Sequence, residues 1–221
     1  MTKILSPATK VLTVADLLKG LGNIPPERVW FRPVPGTATE QDVIDMDAHQ
    51  DRLCELVDGV LVEKTVGYFE SRLAVVLIHY FELFLDRHDL GIVLGADATL
   101  RLMPGLVRIP DVSFISWKKF PNRELPAEPI PDLVPDLAVE VLSAGNTAEE
   151  MRRKLREYFQ VGVRLVWLID PATRTAEIYT SPRKRTIITA DQDLDGGTVL
   201  PGFRLGLEQL FARAGRRRSR S

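Results

Sequence analysis

Three carboxylates stand where strand-like runs should be apolar. Glu55 lies in RLCELV (52–57), Asp111 in RIPDVSF (108–114) and Glu140 in DLAVEVLS (136–143). A carboxylate in an apolar strand is expensive unless it is paired or bound to a cation. Carboxylate oxygens arriving from separate strands suit Mg²⁺ or Mn²⁺. Each acid also has a plainer reading. Glu140 can form a buried ion pair with Arg152 or Arg153. Asp111 can be a strand-start residue after Pro110. Glu55 can sit on the solvated face of a hairpin. Lys154 is the fourth candidate. It borders the helical stripe Met151, Leu155, Tyr158 and Phe159, from which its chain can snorkel towards the sheet end. Its plainer reading is a surface lysine among Arg152, Arg153 and Arg156.

The elements that must position these groups are read from period and punctuation. Thr13 followed by Asp16 has N-cap spacing before Leu17, Leu18 and Leu21. Four prolines come next (Pro25, Pro26, Pro33 and Pro35), a density that excludes a regular helix or central strand. Residues 1–38 are therefore expected to be a helix and an extended strap lying on the domain or on a neighbouring subunit. Thr39 caps a further helix. Asp58-Gly59 joins two apolar runs, 52–57 and 60–64, as a hairpin. Residues 68–87 read as a long helix, with Leu73, Val76, Leu77, Tyr80, Phe81 and Phe84 at core spacing and Gly91 as its stop. Strands are expected at 92–94, 98–102, 112–115, 137–142 and 164–169. A Pro-rich loop is expected at 117–134. Thr147 caps a helix to about 161, with Glu149 and Glu150 in its first turn. A weak hairpin (176–180 and 185–189) and a short helix at LGLEQLF complete the order. That order implies an α/β (α+β mixed-sheet) domain with helices on the faces of the sheet, and there is no internal repeat.

Bulk properties bound the function. The chain has 221 residues, enough for one domain with appendages. Cys54 is the sole cysteine, which excludes an internal disulfide and a Cys-based zinc cluster and suits a reducing cytoplasm. Residues 213–221 carry five arginines and no acid. Without those five, 29 Lys+Arg become 24 against 30 Asp+Glu, a net of −6. A protein that neutralises phosphates usually shows a basic face. Here the totals show none, although they can hide a local basic groove. The tail is read as a disordered end. No apolar window approaches the roughly 18 residues of a membrane span, and the N-terminal segment MTKILSPATK does not read as a secretory signal.

Other chemistries lack their motifs. There is no Gly-rich phosphate loop with Lys-Ser/Thr and no Gly-x-Ser-x-Gly elbow. His49, His79 and His88 lack metalloprotease spacing. Residues 191–196, DQDLDG, mimic the start of an EF-hand loop but have Gly202 where its closing glutamate belongs, so they read as a polar hairpin turn.

Five segments, in order, resemble the Uma-type endonucleases: DRLCELVDGVLVEK, RIPDVSFIS, PDLAVEVLSAGNT, KLREYFQVGVRLVWLIDPATRTAEIY and LPGFRLGLEQLF. The likeness covers residues 39–211. That family belongs with the PD-(D/E)XK nucleases, so the resemblance implies a restriction-endonuclease-like core over 39–212. By motif, Asp111 is the PD aspartate and Glu140 the next acid. The lysine expected two residues later is Leu142 here, and the resemblance moves that role to Lys154. Glu55 matches the acid of the hairpin block. The resemblance thus implies a catalytic set of Glu55, Asp111, Glu140 and Lys154, with a Mg²⁺ (or Mn²⁺) site at Asp111, Glu140 and the Val141 carbonyl and Glu55 as a helper. The expected activity is hydrolysis of DNA, and the expected oligomer a homodimer that cuts both strands. The rival expectation is a catalytically silent nuclease fold serving nucleic-acid binding or protein assembly. Ile109 replaces the family's glutamine before PD, no histidine stands near Glu70, and Ser143-Ala144 replaces Ser-Pro. These departures put the surroundings of Asp111 in doubt.

Overall fold

A computed structural model describes residues 13–50, 52–65 and 67–215. Residues 1–12 and the basic run after Gly215 lie outside the described residues. In chain order the elements are α1 (Val14–Gly20), α2 (Glu40–Gln50), β1 (Cys54–Val57), β2 (Val60–Glu63), α3 (Tyr68–His88), β3 (Gly91–Leu94), β4 (Leu100–Met103), β5 (Leu106–Arg108) and β6 (Val112–Ser116). Then come β7 (Leu137–Val141), α4 (Ala148–Val161), β8 (Leu165–Asp170), β9 (Thr175–Ser181), β10 (Lys184–Ile188), β11 (Asp193–Asp195), β12 (Arg204–Gly206) and α5 (Leu207–Ala214).

The central sheet has six strands in the order β10-β9-β8-β7-β6-β3. Only β7 and β8 run parallel, and α4 is the crossover between them. Alternation of side chains fixes what each face sees. Leu137, Val139 and Val141 of β7 join Leu165, Trp167 and Ile169 of β8 in a core covered by α3 and α5. Ala138, Val166 and Leu168 face the other way, onto Met151, Leu155 and Tyr158 of α4. Glu140 shares the parity of Ala138, so the pleat directs it towards α4.

A second sheet, β2-β1-β5-β4, is antiparallel throughout. Its β1–β2 turn has Asp58 at φ 51° and Gly59 at φ 72°, the doubly left-handed geometry that suits Asp-Gly. Gly59 is also needed for space: a Cβ there would lie 2.7 Å from the Gly36 backbone, which crosses the turn.

The Pro-rich strap lies on its own domain. Val29 bridges to Val62, and the Trp30 N–H donates to the Leu61 carbonyl. Leu17, Leu21, Ile24 and Val29 join the core that contains α4. Both anticipated helix caps form, Thr13 with Asp16 and Thr147 with Glu150, each as a capping box.

Two expectations need correction, and one strand was not anticipated. Gly91 does not stop α3. Asp89, left-handed at φ 39°, ends that helix, and Gly91 opens β3, where a Cβ would meet the Ile115 carbonyl at 2.1 Å. Strand β5 was hidden because it has three residues and depends on β1 and β4 for its partners. Residues 193–195 are not a turn: they form β11 against β12, anchored by fully buried Leu194. No helix among the described residues is long and apolar enough to cross a membrane.

Candidate active site

The four residues singled out in the sequence converge beside the crossing of β7 and α4. Lys154 is not the surface lysine of its plainer reading. It lies inside the buried stripe, 4% exposed. Its Nζ is 3.0 Å from Glu55 Oε1 and 3.0 Å from Glu140 Oε1. The Tyr158 hydroxyl, one turn further on, donates to the same Glu140 oxygen at 2.6 Å. Arg152 and Arg153, the partners considered for Glu140, pair instead with Glu149, and with Glu157 and Asp58.

Glu55 is not on a solvated face; its side chain is fully buried. It makes three contacts. Besides Lys154, it accepts from Arg108 at 2.6 Å and from the Ile109 N–H at 3.2 Å. Burial alone would raise its pKa, but Lys154 and Arg108 hold it well below the usual carboxylate range. Arg108 also donates to Glu157, and Glu157 accepts from Arg153. The result is a buried chain of alternating charge.

Asp111 sits at the start of β6. Its Oδ1 faces the Lys64 ammonium at 2.9 Å, and its Oδ2 accepts the Val141 N–H at 2.7 Å. Lys64 is held by donating to the carbonyls of Ile109 and Ala96. Asp111, Glu140, Lys64, Lys154 and Val141 line one pocket of about 10 Å³, the room of a single water-sized occupant.

Glu140 differs electrostatically from Glu55. Burial raises its pKa, Lys154 opposes that, and the charges of Asp111 and Glu55 raise it further. Burial, more than its neighbours' charge, is what disfavours the ionised Glu140, and a bound cation would offset that cost. Three carboxylates, Glu55, Asp111 and Glu140, line that small polar cavity, and their hard oxygens fit Mg²⁺ or Mn²⁺ in kind. Glu55 is held by two cations and a backbone N–H, which leaves Asp111 and Glu140 as the pair to hold an ion; among the described residues no group of three His, Cys, Asp or Glu is arranged to hold one.

The acids were found by asking which carboxylates interrupt strands. The same question put to cations finds the residues that were missed. Lys64 continues the face of Val60 and Val62, and Arg108 closes the buried run of β5. Arg28 had no such signal. From the strap it grips Glu150 with two hydrogen bonds, at 2.9 and 2.8 Å, and donates to the carbonyls of Glu63 and Gly145. These contacts hold the first turn of α4, one turn from Lys154, against the strap. Burial pushes Glu150 up, and the Arg28 hydrogen bonds bring it below its ordinary value.

Arg28→Ala should therefore destabilise the fold by about 3 kcal/mol, since it leaves a buried carboxylate without its cation. Combined with Glu150→Ala the loss should be well short of additive, with a coupling of about 1–3 kcal/mol. Urea denaturation of the four proteins checks this, and strictly additive losses would show that the pair does not act as a unit.

The comparisons with known proteins bear on the fold and the family. A crystal structure described as a "putative nuclease belonging to DUF820 from Anabaena variabilis ATCC 29413" superposes with a TM-score of 0.66 at 16% identity. The match covers 74% of this chain and 92% of that one. It establishes the shared fold, a mixed six-stranded sheet with helices on both faces. No curated relative matches the chain in sequence. The sequence profile of the Uma2 family, described as "Putative restriction endonuclease", matches residues 40–208. With the match spanning most of the chain, this protein belongs to the Uma2 family.

Proposed function

We propose that this chain is a metal-dependent endonuclease that hydrolyses DNA phosphodiester bonds. One observation carries the proposal: Asp111, Glu140 and Lys154, from three different elements, line a single small pocket. Asp111 and Glu140 would hold Mg²⁺ or Mn²⁺, with the Val141 carbonyl as a backbone ligand. The ion would neutralise charge at the scissile phosphate and lower the pKa of an attacking water. Lys154 stabilises negative charge developing at phosphorus, as a fixed ammonium in a dry site does. Lys64 is a second ammonium at the same pocket and bears on Asp111. Glu55 acts through Lys154: it fixes its position and, with Glu140, keeps it charged against burial and the nearby Arg108, which lower its pKa; Arg108 in turn holds Glu55. Hydrolysis of both strands is best served by a homodimer.

A second reading has its own support. Each carboxylate at the pocket already faces an ammonium, Asp111 with Lys64 and Glu140 with Lys154. A charge set closed in this way also suits a silent nuclease fold used for binding or assembly. Calorimetric titration with Mn²⁺ separates the two. The enzyme should bind in the millimolar range or tighter, and the heat should vanish in Glu140→Ala and Asp111→Asn. A wild type that takes up no Mn²⁺ leaves the silent module as the better account.

A further inference from the structure

Helix α4 packs over β7 and β8 and reaches Tyr179 of β9. The corner between helix and sheet is a groove of about 910 Å³. Met151, Leu155, Leu168 and Tyr179 contribute to its apolar lining, and Arg152, Arg156, Arg183 and Arg185 supply its cations. Two acids also line it, and both are engaged. Asp170 accepts from the Ala172 N–H and the Thr173 hydroxyl, and Glu177 is bound by Tyr179 and Arg185. Arg152 is paired with Glu149. Arg156 and Arg183 are exposed and form no ion pair among the described residues. The groove is thus net positive on a body whose totals are acidic.

At one end the groove reaches Ser143, Ala144 and Asn146, and Asn146 also lines the pocket of Asp111 and Glu140. Along α4, residues 148 to 156 span about 12 Å at 1.5 Å per residue. That length matches three or four nucleotide steps at about 3.4 Å per step. We infer that this groove carries the nucleic-acid strand flanking the scissile phosphate, with Arg156 and Arg183 neutralising its phosphates. The inference rests on the nuclease reading and names the path of its substrate. A local concentration of unpaired cations lets an acidic protein bind a polyanion.

The test uses a short fluorescein-labelled DNA duplex and its single strand, with binding followed by anisotropy across a salt series. Three proteins are compared: wild type, Arg156→Ala/Arg183→Ala, and a control, Lys19→Ala/Arg87→Ala, which removes the same charge from exposed positions elsewhere. Each lost phosphate contact lowers the slope of log K against log salt by about 0.9. The groove variant should therefore lose about 2 from that slope and bind at least tenfold more weakly at low salt. The control should match wild type. Plasmid cutting by the groove variant should slow at low DNA and recover at saturating DNA, because the reacting groups are untouched. A wild type that binds while both variants bind equally well, with equal slopes, overturns the groove and leaves the nuclease reading standing. A wild type that neither binds nor cuts either nucleic acid overturns both.

Discussion

Lys154→Met should slow DNA cutting by about 10²–10³-fold, the usual loss when a charge-stabilising donor is removed from a reacting centre. The same change should destabilise the fold by about 3–5 kcal/mol at neutral pH, because it removes the buried cation shared by Glu55 and Glu140. The two carboxylates will not respond equally. Glu55 keeps Arg108 and the Ile109 N–H, whereas Glu140 keeps only the Tyr158 hydroxyl as a hydrogen-bond partner. Glu140 is already raised and loses the main charge that opposed burial. It should therefore hold a proton in the folded variant at pH values where the unfolded chain is ionised. The folded state then binds more protons than the unfolded state, so stability falls as pH rises from the unfolded pKa through the folded one. Each unit between the two is worth about 1.4 kcal/mol. Denaturation at mildly acid and mildly alkaline pH should show a gap between wild type and variant that widens on the alkaline side. A gap that narrows there would mean that Glu140 is not the group left exposed to burial.

Arg108→Met should have a comparable effect on stability, about 3–5 kcal/mol, by a different route. Its guanidinium is 3% exposed and joins Glu55 to Glu157. Glu157 retains Arg153, and Glu55 retains Lys154. The variant should therefore fold but remain strained at Glu55, with one cation shared among more carboxylates than it can satisfy. Adding Glu55→Gln to Arg108→Met should recover part of the loss, since the surplus buried charge is then gone. Chemical denaturation of the single and double variants checks the sign. If the double variant is the less stable of the two, Glu55 is not the strained partner.

The parts of this structure that were legible in the sequence are those set by neighbours along the chain. Asp58-Gly59 demanded a two-residue turn, and Thr147 with Glu150 demanded a helix start. The parity of Glu140 within β7 comes from a period of two. What stayed hidden is set by residues far apart in sequence. Lys154 reads as a surface lysine until β1 brings Glu55, and β7 brings Glu140, to the same nitrogen. Arg108 looks like a strand terminus until Glu55 and Glu157 close on it. Arg28 lies in a Pro-rich segment with no periodic signal, before the first residue matched by the Uma2 family. Its place beside α4 depends on how the strap crosses β2. Strands as short as β5, β11 and β12 exist only through their partners.

The central claim is that Asp111, Glu140 and Lys154 form one metal-dependent cutting centre. Its most direct test is cleavage of supercoiled plasmid and single-stranded DNA in Mg²⁺, in Mn²⁺ and in EDTA, by wild type and by Glu140→Ala. The account predicts nicked or linear product with either metal, none in EDTA, and none from a folded Glu140→Ala. Cutting by Glu140→Ala at the wild-type rate, or cutting that persists in EDTA, would contradict it.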